Sequence, residues 1–203
     1  MDSNDTYRSF AELSRREREG QDWRRILRRR QSAFAILAPH GGGIEPGTSE
    51  IAIAVAGTEH SIYCFEGIKR RGNQSMHITS GRFDDPICVE LTKSVRTVVT
   101  VHGCNDKDDI VYVGGLHTEL KASAIDSLSA VGFSAVEDTT DHDGTAQSNI
   151  CNQGFEARGL QFEISLGTRM TMFAGLRASE RRLTTDRFVA FVSALRTVFQ
   201  SNP

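Results

Sequence analysis

Short apolar runs that read as buried strands alternate along this chain with segments that read as helices, and glycine or proline marks the joins. SAFAILAP, at 32–39, is such a run, ended by Pro39 and by Gly41, Gly42 and Gly43. Thr48 or Ser49 then caps a helix through EIAIAVAG, stopped by Gly57. SIYCFEG is the next strand, and Asp85 followed by Pro86 opens a helix into ICVELTKS, with proline in its tolerated first position. RTVVTVHG is another buried strand, the second half of VGGLHTELKASAIDSLSAVG is helical, and FSAVE and RGLQFEIS are strands. TTDRFVAFVSALRTVFQ closes the chain as an amphipathic helix with Phe188, Phe191, Val192, Leu195, Val198 and Phe199 on one face. The pattern predicts an α/β fold: one domain with a mixed, largely parallel sheet flanked by helices. DTTDHDGTAQSN, at 138–149, reads as a long surface loop.

At 203 residues the chain is long enough to bury a core of its own and too short for two independent domains. Hydrophobic residues make up 38% and charged residues 25%, a globular profile, and a net charge of −2 argues against a dedicated nucleic-acid binder. No run of eighteen apolar residues exists, and MDSNDTYRSF lacks the apolar core of a signal peptide. The expectation is a cytoplasmic product with no signal peptide and no membrane partner. Cys64, Cys88, Cys104 and Cys151 form no CxxC pair and are read as free thiols. Residues 1–31 form a charged arm, a solvated helix followed by an edge strand, anchored by Leu13, Trp23, Ile26 and Leu27. Residues 32–203 carry the chemistry.

Ligands of open α/β sheets sit outside the carboxyl ends of the strands. His40 follows SAFAILAP and His102 ends RTVVTVHG, so both face one rim if the two strands are parallel. Glu45 lies across the glycine loop from His40, and the three glycines are expected to permit a tight turn and leave room for an ion and substrate. Two imidazoles and a carboxylate are a catalytic zinc set that leaves a coordination position for water. Glu163 is a charge inside an otherwise apolar strand, costly to bury without a partner, and a metal-site base explains it. Competing motifs fit less well. GGGIEPGTS lacks the phosphate-binding lysine of a P-loop, with Thr48 in its place, no GxSxG exists, and Cys104 has no positioned third group beside His102.

The ordered set PHGGGIEPGTSE, MHITSGRFDDP, VHGCNDKDD, VGGLHTEL and GLQFEIS resembles the bacteriophage poly-γ-glutamate hydrolases and their bacterial relatives, from about residue 32 to 165. That resemblance implies a zinc carboxypeptidase-like fold with one zinc ion, held by His40, Glu45 and His102, and Glu163 as the base, so that 32–203 is a zinc hydrolase domain. Four residues rather than two separate His40 from Glu45, a departure from the usual carboxypeptidase motif. The implied reaction is hydrolysis of γ-glutamyl amide bonds in poly-γ-glutamate. Arg82 is the candidate cationic donor to the oxyanion, with His77 as a second polar contact, and Arg169 suits the substrate's free α-carboxylates. Lys69, Arg70 and Arg71 read as a solvated turn, and His117 as a cap or packing residue. A zinc amidase or peptidase acting on a small N-acyl amino acid or cell-wall peptide is the alternative enzyme, distinguished by a closed pocket rather than a groove with cationic subsites. A non-catalytic phage replication-associated protein is the alternative from another class, and the joint presence of His40, Glu45, His102 and Glu163 counts against it. The expected product is a monomer released on cell lysis.

Overall fold

The segment Phe34–Gly42 (β2) is buried along its whole length, as a strand covered on both faces must be. In the computed structural model, which describes residues 5–140 and 142–201, it lies inside a seven-stranded sheet. The other strands are β1 (Trp23–Arg28), β3 (Ser61–Gly67), β4 (Thr97–Gly103), β5 (Val111–Gly114), β6 (Ala135–Glu137) and β7 (Leu160–Ile164), in the order β1-β3-β2-β4-β7-β5-β6. Strands β3, β2, β4 and β7 run parallel, β1 and β5 pair antiparallel with β3 and β7, and β6 is parallel to β5. The helices are α1 (Phe10–Arg16), α2 (Thr48–Ala56), α3 (Pro86–Lys93), α4 (Thr118–Ala130), α5 (Leu166–Met172) and α6 (Asp186–Gln200). The chain is one α/β domain with a mostly parallel mixed sheet, as its alternation predicts.

Two apolar layers cover the sheet. Phe34, Ile36 and Ala38 of β2, Val99 and Val101 of β4, and Leu160, Phe162 and Ile164 of β7 pack with α2, α4 and α6. Ala35 and Leu37 of β2 and Val98 of β4 pack on the other side with α1 and α3. All six apolar residues expected on one face of the last helix are buried in the first layer.

This parity fixes where the strand ends point. On β4, His102 shares a face with Val98, and on β7, Glu163 alternates with Phe162 and Ile164, so plain alternation turns both toward the α1/α3 side. On β2, the same rule would put His40 with Ile36 and Ala38, on the opposite side. A bulge prevents this: the β2–β3 register runs from Ala38↔Cys64 to Gly41↔Glu66, one extra residue in β2. Pro39, which has no N–H for a ladder, sits in the irregular stretch. His40 consequently faces Ile78 and Phe83 of the second layer.

The chain leaves β2 for β3 on one side and returns to β4 on the other. The switch point of the sheet is therefore at β2 and β4, where a crevice opens at the strand carboxyl ends.

The glycine triplet lies in the tight turn expected of it, where Glu45 N–H donates to His40 O at 2.8 Å, but it does not leave the open room expected. It makes no part of a cavity wall; instead the backbone packs where side chains do not fit. A Cβ at Gly41 would overlap Ser49 Oγ, and one at Gly43 would stand 2.5 Å from Asn73 Nδ2. Gly42 has φ +68° and a Cβ there would meet Gly67 O at 2.5 Å. The α2 N-cap is Gly47, without a side-chain cap, rather than Thr48 or Ser49. Thr48 Oγ1 instead donates to Glu45 O at 2.8 Å.

Four further features differ from the sequence reading. VYVG forms β5 and LGTRMTM forms α5, both too short for a periodic signal. In the arm, Phe10 is buried together with Leu13 and Trp23, whereas Leu27 is exposed. Arg25 lies over the Phe10 and Trp23 rings and donates to Asp85 at 2.6 Å, which ties β1 to the start of α3. The loop at 138–149 is not simply a surface loop: Asp138 and Asn149 are buried. Among the described residues no helix is long and apolar enough to cross a membrane.

Gly42→Ala imposes a left-handed backbone on a residue with a side chain and a clash with Gly67 O. It is expected to lower the unfolding free energy by roughly 1–3 kcal/mol, seen as a lower denaturant midpoint at unchanged slope.

Candidate metal centre

The loop after β2 folds back so that Glu45 N–H donates to His40 O at 2.8 Å. That closure brings Glu45 Oε1 to 2.9 Å from His40 Nδ1. Glu45 Oε2 accepts from Gly103 N–H at 3.0 Å and lies 3.7 Å from His102 Nδ1. His102 Nδ1 is in turn 3.1 Å from His40 Nδ1. Both imidazoles are 2% exposed, so the two strand ends and the loop converge in a space shielded from water. The sequence-based set of His40, Glu45 and His102 is thus one cluster in space.

The outer contacts decide which nitrogens are free. His40 Nε2 is 2.8 Å from Ile78 O, a carbonyl that can only accept, so the proton of that ring sits on Nε2. A neutral His40 then presents a lone pair at Nδ1 to a carboxylate oxygen and to a second imidazole nitrogen. With the His102 proton on Nε2 toward Ser80 Oγ, three electron-pair donors would face one another, an arrangement that a cation between them stabilises. Without a metal, a proton is the available one: burial pulls the His40 imidazolium down, but facing Glu45 lifts it further, and it stands above the ordinary histidine value. Burial pushes Glu45 up, and the charge of His40 outweighs it, holding the carboxyl well below the usual range. His102 is lowered by burial and by the neighbouring His40 charge.

A divalent zinc ion satisfies the same donors. Tetrahedral ligands at about 2.1 Å from zinc stand about 3.4 Å apart, and the observed separations of 2.9, 3.1 and 3.7 Å bracket that value. Ser80 Oγ lies 3.3 Å from His102 Nε2, an outer contact matching the one Ile78 gives His40. The residues therefore fit the metal. His77 belongs to the neighbourhood as well: His40, Glu45 and His77 offer ligand atoms within 4.8 Å of one another, and His77 Nε2 is 3.8 Å from Glu45 Oε1. Its ring stacks 4.0 Å from His40, and Asp5 takes its Nδ1 at 2.7 Å. Burial and the His40 charge lower its pKa.

A cavity of about 720 Å³ opens from this cluster. Glu163, paired with His102 across β4 and β7, lines it, and burial, then the charges of Glu45 and Asp138, hold its carboxyl well above the usual range. The opposite wall comes from His142, Asp143, Ser148 and Asn149 of the 138–149 loop. Asn149 Nδ2 donates to Gln161 Oε1 at 3.0 Å, which anchors that loop to β7. No lysine or arginine lines the cavity among the described residues.

The two arginines singled out from sequence lie elsewhere. Arg82 donates to Asp5 Oδ2 at 2.6 Å and is partly exposed, outside the lining. Arg169 is 2% exposed, and its guanidinium donates to Ile164 O (3.0 Å), Pro46 O (2.8 Å) and Cys104 O (2.7 Å). Burial lowers its pKa. His117 caps α4, its Nδ1 accepting from Leu120 N–H. Asp5, Ile78 O, Ser80 and Gly103 N–H are the site partners that sequence reasoning missed. Two of them are backbone atoms, which carry no residue-type signal.

Comparison with known proteins places the chain among relatives. A family model described as poly-gamma-glutamate hydrolase matches residues 7–194. UPF0714 protein YndL of Bacillus subtilis (strain 168) is 35% identical over 196 residues, covering 95% of this chain and 77% of that protein. The structure of a bacteriophage poly-gamma-glutamate hydrolase superposes with a TM-score of 0.95 at 30% identity, over 98% of both chains. A structure described as zinc-free apo YndL superposes at 0.93 with 33% identity, again over 98% of both. The fold alone is shared with N-formylglutamate amidohydrolase from Ralstonia eutropha JMP134, at a TM-score of 0.56 and 12% identity over 88% of this chain and 96% of that one.

Arg169→Lys retains the charge but cannot reach three carbonyls from one ammonium. It is expected to cost roughly 2–4 kcal/mol, one to two buried acceptors left unpaired, measured as a lower denaturation midpoint with the secondary structure intact.

Proposed function

The chain belongs to the poly-gamma-glutamate hydrolase family, and from that premise we propose that it is a zinc-dependent amidohydrolase that cuts γ-glutamyl amide bonds. The observation that carries the metal is the meeting of His40 Nδ1, Glu45 and His102 Nδ1, with the His40 proton committed to Ile78 O. A zinc-free form of the relative YndL supports zinc as the ion. His40, Glu45 and His102 would hold it, and when bound there it supplies Lewis acidity toward the scissile carbonyl and the attacking water.

The rest of the reaction falls to the chain's own residues. Glu163, with its carboxyl in the cavity beside the His102 strand position, takes a proton from water as the oxygen attacks the amide carbon. It then delivers that proton to the departing nitrogen, so that carboxylate and amine products leave with the base restored. His77, its Nδ1–H given to Asp5, presents Nε2 as an acceptor toward the cavity and orients a substrate N–H. Asn105 and Ser148 offer neutral donors to the α-carboxylates. Arg82 and Arg169 act behind the lining, as supports, instead of gripping the oxyanion or substrate.

One observation favours a second reading. A polyanionic chain calls for cationic subsites, and the cavity lining has no lysine or arginine among the described residues, which suits a small N-acylated amino acid. Gel filtration of poly-γ-glutamate during digestion separates the two. We expect the wild-type protein to shorten the polymer, a chelator to stop it and zinc to restore it. Glu163→Gln is expected to lower the rate by about 10²–10⁴ while zinc content stays at the wild-type level. An intact polymer in the presence of zinc-loaded protein would transfer the activity to the smaller substrate.

A further inference from the structure

The cavity wall that runs through His77, Thr79, Ser80 and Gly81 is held from behind by one carboxylate near the start of the chain. Asp5 accepts from Thr79 N–H at 2.7 Å, from Thr79 Oγ1 at 2.8 Å and from Arg82 Nη2 at 2.6 Å, and pairs with His77 Nδ1 at 2.7 Å. Its side chain is 5% exposed. Both oxygens are engaged by partners more than seventy residues away in sequence.

The wall that Asp5 pins reaches every imidazole of the cluster. It carries His77 itself, the Ile78 carbonyl on His40 Nε2, and the Ser80 hydroxyl on His102 Nε2. Two of these are the outer contacts that set ring orientation at His40 and His102. The arm has a separate attachment, because Phe10 N–H donates to Asp84 Oδ1 at 2.6 Å. Docking of the arm and bonding of Asp5 are thus separable.

We propose that Asp5 is a positioning residue of the hydrolase site: it fixes His77 with Nε2 toward Glu45 and holds the 77–82 wall in the place from which Ile78 O and Ser80 Oγ orient His40 and His102. The proposal rests on the reading of His40, Glu45 and His102 as a zinc site. Four donors around one carboxylate are also what a substrate α-carboxylate would seek, so Asp5 as a competitor of substrate is the contrary case.

The test compares full-length wild type with Asp5→Ala, Asp5→Asn and Asp84→Ala. It reads zinc dissociation by chelator competition, kcat and KM on poly-γ-glutamate, and thermal midpoint. Asp5→Ala is expected to weaken zinc binding and kcat by roughly 10–100-fold with KM within about twofold. Asp5→Asn, which keeps the volume and one acceptor, should fall between; it is the deciding variant if the alanine form does not fold. Asp84→Ala loosens the arm and is expected to lose thermal stability while keeping zinc affinity. Wild-type zinc affinity and kcat in both Asp5 variants would overturn the proposal, as would equal loss of zinc affinity in Asp84→Ala, which would assign the effect to arm docking. A lower KM with unchanged zinc affinity in Asp5→Ala would also overturn it, in favour of competition with substrate. Wild-type protein that binds no zinc would instead sink the metal reading on which the proposal stands.

Discussion

One buried guanidinium joins the three segments that carry the candidate chemistry. Arg169, in the middle of α5, donates to Pro46 O beside Glu45, to Cys104 O two residues beyond His102, and to Ile164 O next to Glu163. The backbone of Gly103 makes space for it, since a Cβ there would stand 2.6 Å from the guanidinium carbon. Loop ends at the carboxyl edge of a sheet have carbonyls with no strand to pair with, and burying them unpaired is costly. A planar donor with several N–H groups satisfies three at once, which a lysine cannot do. The same bonds fix the distances between the ends of β2, β4 and β7, and so the geometry of the centre.

The electrostatics of the centre follow from how few charges are allowed in. Glu45 is shared among two imidazoles and a backbone N–H, so its charge is spread over directed partners rather than solvated. Glu163 sits nearby with no lysine or arginine in the lining among the described residues, and the Glu45 charge works against its ionisation. A divalent cation changes the sign of that neighbourhood. Positive charge entering here would remove the mutual repulsion of these donors, and the outer contacts from Ile78 and Ser80 would keep the rings aimed.

Much of this was legible in the residues and some was not, for definite reasons. His40, His102 and Glu163 stand at or near the ends of apolar runs, and such runs announce buried parallel strands; their ends are where sites form. Glu45 was readable from its place across the glycines. The packing role of those glycines was not, because it depends on Ser49, Gly67 and Asn73 approaching from other elements. Arg169 looked like a substrate contact because arginine is rarely buried, and nothing local marks one that is. Asp5 lies in a polar stretch whose partners are distant in sequence. The 138–149 loop has the composition of a solvated turn, and the bonds of Gln161 to Asn149 and to His142 O reveal that it is fastened to β7 as a wall.

The extra residue in β2 makes strand pairing itself a determinant of this site. Side chains on a strand alternate between faces, so with Pro39 and His40 both between Ala38 and Gly41 it is the bulge that decides which layer receives the imidazole. A chain with the same residues but an unbroken ladder would deliver its histidine to the α2 and α6 layer, away from His102 and Glu163, whereas one lacking Pro39 would bring its histidine directly after Ala38 onto the α1 and α3 side with no bulge at all. Presence of the motif is then insufficient to infer the centre in a relative; where the extra residue is present, the ladder has to be interrupted to absorb it. The irregularity that interrupts the ladder between β2 and β3 acts as a change of face, and the stereochemistry of the site is written in its pairing as much as in its letters.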